Sequence, residues 1–376
     1  MAIARKKILY VHHAGGFGGA PKSMGYIIKN LDRDKYDPQI LNIVPGPINE
    51  FFKELPCKVT VIKEIRAFHG SYVVKSNLFW HLLSWFFLLP SIILAYKNIK
   101  KIRPDLIHLN STCLFAFAIA AYFLKIKVVC HVREPIRKGW AGWPLRVFNK
   151  KFVSGFIAIS QFDLDSLQLP KSYTKPREVI YNFVENYHDE AKPIYNEFRK
   201  ELKISKDDIL LLYLARFADS NGWKELIQMV KPLIAEHAHV HLALVGAKNE
   251  DDFIDTGSDH IHIVGFRPDI SEILKTSDIF ICPFVLPHFA RGVIEAAAYS
   301  KPSIGAQIGG VNELIKDNKT GFLYDNQDEF INYCNLLIQN EELRAKMGLQ
   351  ALKFARTNFD PNKNLIRTYA FYANFF

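Results

Sequence analysis

Short apolar runs rich in β-branched residues alternate along the chain with stretches of helical period. The run 7–12, KILYVH, has the length of a buried strand and leads into a glycine loop. Over 21–31, Met24, Ile27, Ile28 and Leu31 recur on one helix face, with Pro21 near the start, where proline is tolerated. Runs 38–44 and 58–62 predict further strands. After them come a long apolar helix over about 78–102, a strand at 106–109, a helix near 114–124, and strands at 127–132 and 156–160. Strand–helix alternation of this kind predicts a parallel sheet covered by helices on both faces.

The pattern then restarts. The polar stretch 186–208 has the character of a linker plus a surface helix, and ILLLYLAR (209–216) opens a second series with HLALVG, IHIVGF, IFICPF and PSIGA. A chain of 376 residues exceeds the roughly 250–300 that one core supports. The expectation is therefore two doubly wound, Rossmann-like α/β domains with a junction near residue 187. Ligands in such folds sit at the carboxyl ends of the strands, and a cleft between the halves would collect both sets of loops.

Composition narrows the class. With 49% hydrophobic and 23% charged residues the chain is globular. Its five cysteines are scattered, mostly in apolar runs, without zinc or disulfide spacing, which suits a reduced, cytoplasmic protein. The apolar run 8–11 behind the basic start is too short for a secretory signal. The net charge of +10 favours polyanionic partners. No nucleic-acid module surrounds the lysine-rich segments, so a nucleic-acid partner is not expected.

Two groups of loops carry chemistry. HHAGGFGGAP (12–21) leaves the first strand and enters a helix, where glycines let the backbone approach a phosphate. It is not a dinucleotide fingerprint. Pro21 holds the place of the third glycine, and no acidic residue ends the second strand. In the second half Arg216 ends a strand, Gly222 and Gly309-Gly310 each precede a helix, and PHFARGVIEAAAYSKP (287–302) opens another. Glu295 is the one carboxylate of that apolar turn and needs a partner. A guanidinium, helix N-termini and a carboxylate suit a diphosphate joined to a ribose.

The ordered set ARFADSNGW, VGFRPDISEILKTSDIFICPF, FARGVIEAAAYSKPSIGAQIGGVNELI and TGFLY resembles the family 4 glycosyltransferases of GT-B fold. GGFGGAP, PDLIHLN, VVCHVREP, AISQF and VIYNFVE fall where that family has counterparts, so the resemblance covers nearly the whole chain. It implies an acceptor-binding domain over 1–186, a nucleotide-sugar-binding domain over 187–357, and a terminal helix within 358–376 that packs back on the first domain. It further implies transfer of a sugar from a UDP- or GDP-linked donor to a glycan or lipid-linked acceptor, with retention and with neither metal nor cofactor.

Residue by residue, the resemblance assigns Glu295 to the ribose and Phe289, Ala290, Arg291 and Gly292 to the turn whose amides meet the diphosphate. It assigns Arg216 to the departing diphosphate, Gly18 and Gly19 to the loop that closes over the donor, and His131 to the reacting sugar. Phe266 and His288 complete the candidate donor pocket. A structural histidine is the alternative for His131, and Arg133 with Glu134 is open between a surface pair and acceptor contacts. Two positions depart from the family. Pro287 stands where its first glutamate is usual, and Asn221 replaces a lysine, with Lys224 one turn further along. These departures support an alternative: a nucleotide-sugar-binding, catalytically weakened partner of another transferase. A phosphorylase or epimerase on the same fold is a third option.

Two further stretches carry expectations. DLD (163–165) resembles a metal-binding string but falls in a helix, where a solvated face is expected. The stretch 77–103 holds Trp80, Trp85 and three phenylalanines and ends in Lys97, Lys100, Lys101 and Arg103. His81, Ser84 and Pro90 interrupt it, and spanning a bilayer would break the sheet around it. Tryptophans at one end and lysines at the other suit an interfacial helix on an anionic membrane, peripheral on the inner face, with a wholly buried core helix as the alternative.

Overall fold

The computed structural model describes residues 5–72, 74, 77–190 and 192–376. The chain divides into two compact units, one reaching to Asn182 and including Asn362–Phe376, the other Phe183–Pro361.

The first unit is built on strands β1 (Lys6–His12), β2 (Tyr36–Asn42), β3 (Lys58–Val61), β4 (Leu106–Leu109), β5 (Lys127–Val132), β6 (Gly155–Ala158) and β7 (Arg177–Val179). They pair in parallel in the order β3-β2-β1-β4-β5-β6-β7. Alternate residues of a strand face opposite sides, and here both sides are covered. Leu9, Val11, Ile107, Leu109, Val128, Cys130 and Val132 meet Ala95, Ile99 and Phe115–Ile119 side chains on one face. Ile8, Tyr10, Leu106, Val129 and Ile157 meet Met24, Ile27 and Ile28 on the other, together with Leu365, Phe371 and Tyr372 of the last helix. Strand order reverses between β1 and β4, which is where a doubly wound sheet opens a crevice at its carboxyl edge.

The second unit repeats the plan with β8 (Ile209–Leu214), β9 (Val240–Ala247), β10 (Ile261–Gly265), β11 (Ile279–Cys282), β12 (Ser303–Ala306) and β13 (Gly321–Tyr324). The order is β10-β9-β8-β11-β12-β13, again all parallel. Leu211, Tyr213, Leu242, Leu244, Ile279, Ile281 and Ile304 form its core with Trp223, Leu226, Phe330 and Leu337.

Two expectations change. The helix Glu197–Glu201 is not simply a surface helix. Phe198 and Arg199 are buried, and the Arg199 guanidinium pairs with Asp278 at 2.7 Å, both side chains nearly sealed from solvent. Asp163 is not on a solvated face either. It is buried against Ser160, whose hydroxyl caps the short helix Gln161–Asp165 by accepting from the Asp163 N–H at 2.9 Å; only Asp165 of the pair is exposed. The helix Leu78–Ile102 is not the wholly buried core helix of the alternative reading. Asn77 caps it, accepting from the Phe79 N–H at 2.8 Å, and Arg103 ends it in the left-handed region. Of its 25 residues only Ser91, Ala95 and Ile99 are buried. Phe79, Trp80, Leu82, Phe86 and Leu89 are exposed, Phe86 by 73%.

Candidate active site

In the second unit the chain leaves β8 through Ala215 and Arg216 and makes a single turn, Asp219–Asn221, before the helix Trp223–Glu236. The Arg216 carbonyl accepts from the Tyr213 hydroxyl at 3.0 Å, the Asn221 side-chain amide at 2.9 Å and the Ala218 N–H at 2.8 Å. Its backbone is thus clamped while its side chain stays exposed. Asn221 therefore braces the arginine loop and adds no positive charge. Lys224 does not take over that role, since its ammonium lies over the Trp223 ring at 5.2 Å. Gly222 is in the left-handed region (φ 69°), and a Cβ there would sit 1.8 Å from the Pro283 carbonyl oxygen. This close approach sets the β8 loop against the β11 loop, and the Ser220 carbonyl ties it again by accepting from the N–H groups of Val285 and Leu286.

From β11 the chain passes through Pro287–Ala290 into the helix Arg291–Ala298. Ala290 is its cap residue and, among the described residues, no side chain caps it; the Val293 N–H donates to the Ala290 carbonyl at 3.1 Å, and the amides before it suit an anion. Gly292 presses the turn onto the sheet, for a Cβ would meet Phe280 at 2.6 Å and the Leu214 carbonyl at 2.9 Å. Glu295 has a partner within the helix: Arg291 Nε donates to its Oε1 at 2.7 Å, one turn away, and the carboxylate is 19% exposed. Arg291 Nη1 is buried without a hydrogen-bond partner. His288 stacks on Phe284 (4.1 Å, 13°) with Nδ1 held by the Leu286 carbonyl at 2.8 Å. Burial pushes it down to about 4, and the nearby Arg216 charge adds to this, so the ring is neutral at pH 7. Pro287 packs on Gly309, where a Cβ would lie 2.5 Å from the proline Cβ. The structure thus gathers Arg216, His288 and residues 289–292 with Glu295 around the ends of β8 and β11. Phe266 is 71% exposed beyond β10, and its N–H donates to the Ala247 carbonyl at 2.9 Å.

In the first unit Gly18, in extended conformation, caps the helix Gly19–Lys29 without a side chain. Upstream, Gly15 is required by contact, since a Cβ would stand 2.5 Å from the Pro45 carbonyl oxygen. His131 lies near the carboxyl end of β5, and alternation sends it to the face of Val129, opposite Cys130 and Val132. It is buried, edge-on to His108 at 5.4 Å, and both ring nitrogens lack a partner among the described residues. Burial holds its pKa well below the usual value, aided by Arg133 and His108, so it is a neutral imidazole. Arg133 is no surface residue. Its Nε donates to Asn110 at 2.6 Å and its Nη1 to Asn182 at 3.2 Å. Asn110 also reaches His12 Nδ1 at 3.1 Å and the Ala20 carbonyl at 3.3 Å, so this network anchors the glycine loop. Asn110 and Asn182 escaped sequence reasoning, although each is a polar residue ending an apolar run in LIHLN and VIYN.

Residues 195–354 match the family described as Glycosyl transferases group 1, and residues 17–186 match Glycosyltransferase Family 4. The chain belongs to the family 4 glycosyltransferases. A relative from Campylobacter jejuni, N,N'-diacetylbacillosaminyl-diphospho-undecaprenol alpha-1,3-N-acetylgalactosaminyltransferase, is 29% identical over 363 residues, 89% of this chain and 90% of its own. Spore coat protein SA of Bacillus subtilis is 26% identical over 51% of this chain and 57% of its own length. N-acetyl-alpha-D-glucosaminyl L-malate synthase of Bacillus anthracis is 25% identical over 50% and 51%. The match thus spans little more than half the length of these two relatives. Among solved structures, Anabaena HepE in complex with UDP superposes with a TM-score of 0.77 at 20% identity, covering 98% of this chain and 100% of that one. A Rickettsia africae glycosyltransferase gives 0.77 at 19%, covering 99% of each. These neighbours establish the fold of this family 4 glycosyltransferase: two Rossmann-like domains of the GT-B class.

Proposed function

We propose that this family 4 glycosyltransferase moves a sugar, with retention and without a metal, from a UDP- or GDP-linked donor to a glycan or lipid-linked acceptor in surface polysaccharide synthesis. The observation that carries this reading is the cluster in the second unit: an exposed guanidinium on a clamped backbone, an uncapped helix N-terminus and a carboxylate oriented by Arg291. Arg216 would neutralise the diphosphate as charge builds on it, and the amides of 289–292 would bind it in both states. With Oε1 held by Arg291, Glu295 has its second oxygen left for ribose hydroxyls. His288 and Phe266 would line the donor pocket. In the first unit the neutral His131 would hydrogen-bond the reacting sugar, and Gly18-Gly19 would admit the donor phosphates. The departing phosphate itself would take the acceptor's proton. Anabaena HepE has been crystallised with UDP-glucose, and the name of the Campylobacter relative specifies a diphospho-undecaprenol acceptor.

The first unit would take the acceptor at an anionic membrane, peripheral on its cytoplasmic face. Leu78–Ile102 is long and apolar enough to cross a bilayer, yet it packs against the helix Phe115–Phe123 with 11% of its most apolar stretch buried. Lys97, Lys100, Lys101 and Arg103 end it, each adding about 1 kcal/mol near anionic lipid. Co-sedimentation with anionic vesicles that weakens with salt is expected; no binding at low salt removes this part.

The test of the whole is a screen of UDP- and GDP-sugars for binding, then hydrolysis and transfer assays on the hits with and without EDTA. Turnover that persists in EDTA is expected, and turnover lost in EDTA and restored by Mg²⁺ or Mn²⁺ refutes the metal-free mechanism. Pro287 packed on Gly309, and Asn221 spent on the arginine loop, favour a second reading, a nucleotide-sugar-binding partner without turnover. Tight donor binding with no transfer to any acceptor would select it.

A further inference from the structure

A second cluster of chemistry lies in the first unit. His13 follows β1, His69 lies between β3 and the helix Leu78–Ile102, and Cys113 sits in the turn after β4. One ring nitrogen of each histidine and the Cys113 sulfur all lie within 4.8 Å of one another. Main-chain bonds hold the three segments in place. The Phe68 N–H donates to the Cys113 carbonyl at 3.0 Å, the Cys113 N–H to the Ser111 hydroxyl at 3.3 Å, and the Ile43 N–H to the His12 carbonyl at 3.0 Å. The two imidazoles lie 5.6 Å apart, tilted by 56°, and Nδ1 of His13 is buried without a hydrogen-bond partner among the described residues. Such a nitrogen is costly to bury and is a ready lone pair. Both histidines border a cavity of about 540 Å³, with Trp80 and His81 on its wall.

We infer that His13, His69 and Cys113 form a binding site for a thiophilic divalent cation of the Zn²⁺ type, held by two imidazoles and a thiolate. The fourth position would face the cavity. Zinc bonds of about 2.0–2.1 Å to nitrogen and about 2.3 Å to sulfur place tetrahedral ligand atoms roughly 3.4–3.7 Å apart. Closing from 4.8 Å takes about 1 Å of side-chain movement, which His69, on an exposed loop position, can supply. As the metal–sulfur bond forms, the Cys113 S–H bond breaks and its proton passes to solvent, with no change of oxidation state. The site gains one positive charge. Lys63 and Arg66 line the same cavity and oppose this, while Glu134 lies within electrostatic range of Cys113 and offsets part of it. His13, His69 and Cys113 are distinct from the residues assigned above to the donor and the reacting sugar.

The test is titration of the metal-free full-length chain with Co²⁺, followed by displacement with Zn²⁺. One equivalent of Co²⁺ giving a thiolate-to-metal charge-transfer band, bleached by Zn²⁺, is expected. Cys113→Ser should abolish the band, whereas Cys57→Ser, which removes the half-buried thiol elsewhere, should leave it. His69→Ala should weaken Co²⁺ binding at least about tenfold, with the circular dichroism spectrum unchanged. No band in the wild-type chain, a band that survives Cys113→Ser, or wild-type affinity in His69→Ala overturns the site. If Cys113→Ser does not fold, His69→Ala decides.

Discussion

Replacing Glu295 by glutamine tests the donor site at its most specific point. The amide would keep the shape and one accepting oxygen, but its other terminus becomes a donor. The side chain can then no longer accept from Arg291, now at 2.7 Å, and from a ribose hydroxyl at the same time. The loss is one hydrogen bond to a charged group, about 1.5–3 kcal/mol, which is about 10–150-fold in donor Kd. Stability should barely change, because a partly exposed i,i+4 pair contributes only about 0.3–0.5 kcal/mol. Calorimetric titration with whichever nucleotide-sugar binds wild type measures the effect, and a 2′-deoxyribose donor sharpens it. Wild type should lose affinity for the deoxy donor, whereas Glu295→Gln should lose little more, since the two changes remove one interaction. A folded Glu295→Gln protein that binds the ribose donor within twofold of wild type refutes the assignment.

Arg216→Ala should lower turnover by about 10²–10³ and donor affinity much less; a pure Kd effect in steady-state kinetics contradicts the role. Arg199→Met strips Asp278 of its hydrogen-bonded ion pair and leaves it the Leu210 N–H at 2.8 Å and the electrostatic influence of Arg344 and Lys301. Urea unfolding should show a loss of about 3–5 kcal/mol, partly restored by adding Asp278→Asn, and a loss below 1 kcal/mol contradicts this. His241 and His288 are each pushed down to about 4, burial being the largest cause. The folded chain therefore binds fewer protons than the unfolded chain between about pH 4 and 6.5, and stability present above that window is lost on acidification, by about 1–2 kcal/mol per histidine at pH 5. A urea midpoint at pH 5 equal to or above that at pH 7 refutes it.

The fold was legible because strands buried on both faces have few polar positions to interrupt them: ILLLYL and IFIC are continuous apolar runs, and their alternation with helical periods admits few topologies. Loop chemistry was legible where one residue type suffices, as with Gly222 or the carboxylate at 295. It was not legible where a role is set by a distant partner. Asn221 looked like a missing cation until its amide was found on the Arg216 carbonyl. Arg199 looked solvated in its polar stretch, and its partner Asp278 is 79 residues away. Pro287 faces Gly309 across another loop. For Leu78–Ile102, hydropathy measures how apolar a segment is and not what covers it, so burial and exposure remained open until neighbouring elements were in place.

The first unit is not continuous in the chain: it needs Asn362–Phe376 as well as the residues up to Asn182. Tyr372 is fully buried there with its hydroxyl 2.7 Å from His108 Nδ1, and the Asn364 side-chain amide bonds the Tyr181 carbonyl. During synthesis this sheet emerges first, yet the face that Met24, Ile27 and Ile28 cover in part lacks the rest of its cover until the last of these residues leaves the ribosome. At ~5–20 residues per second the wait is about 10–40 s, during which the whole second unit can fold. The surface that Leu365, Phe371 and Tyr372 would bury is then available to chaperones, and an abundance defect in a chain stopped before Asn362 would arise in a nascent sheet left partly covered.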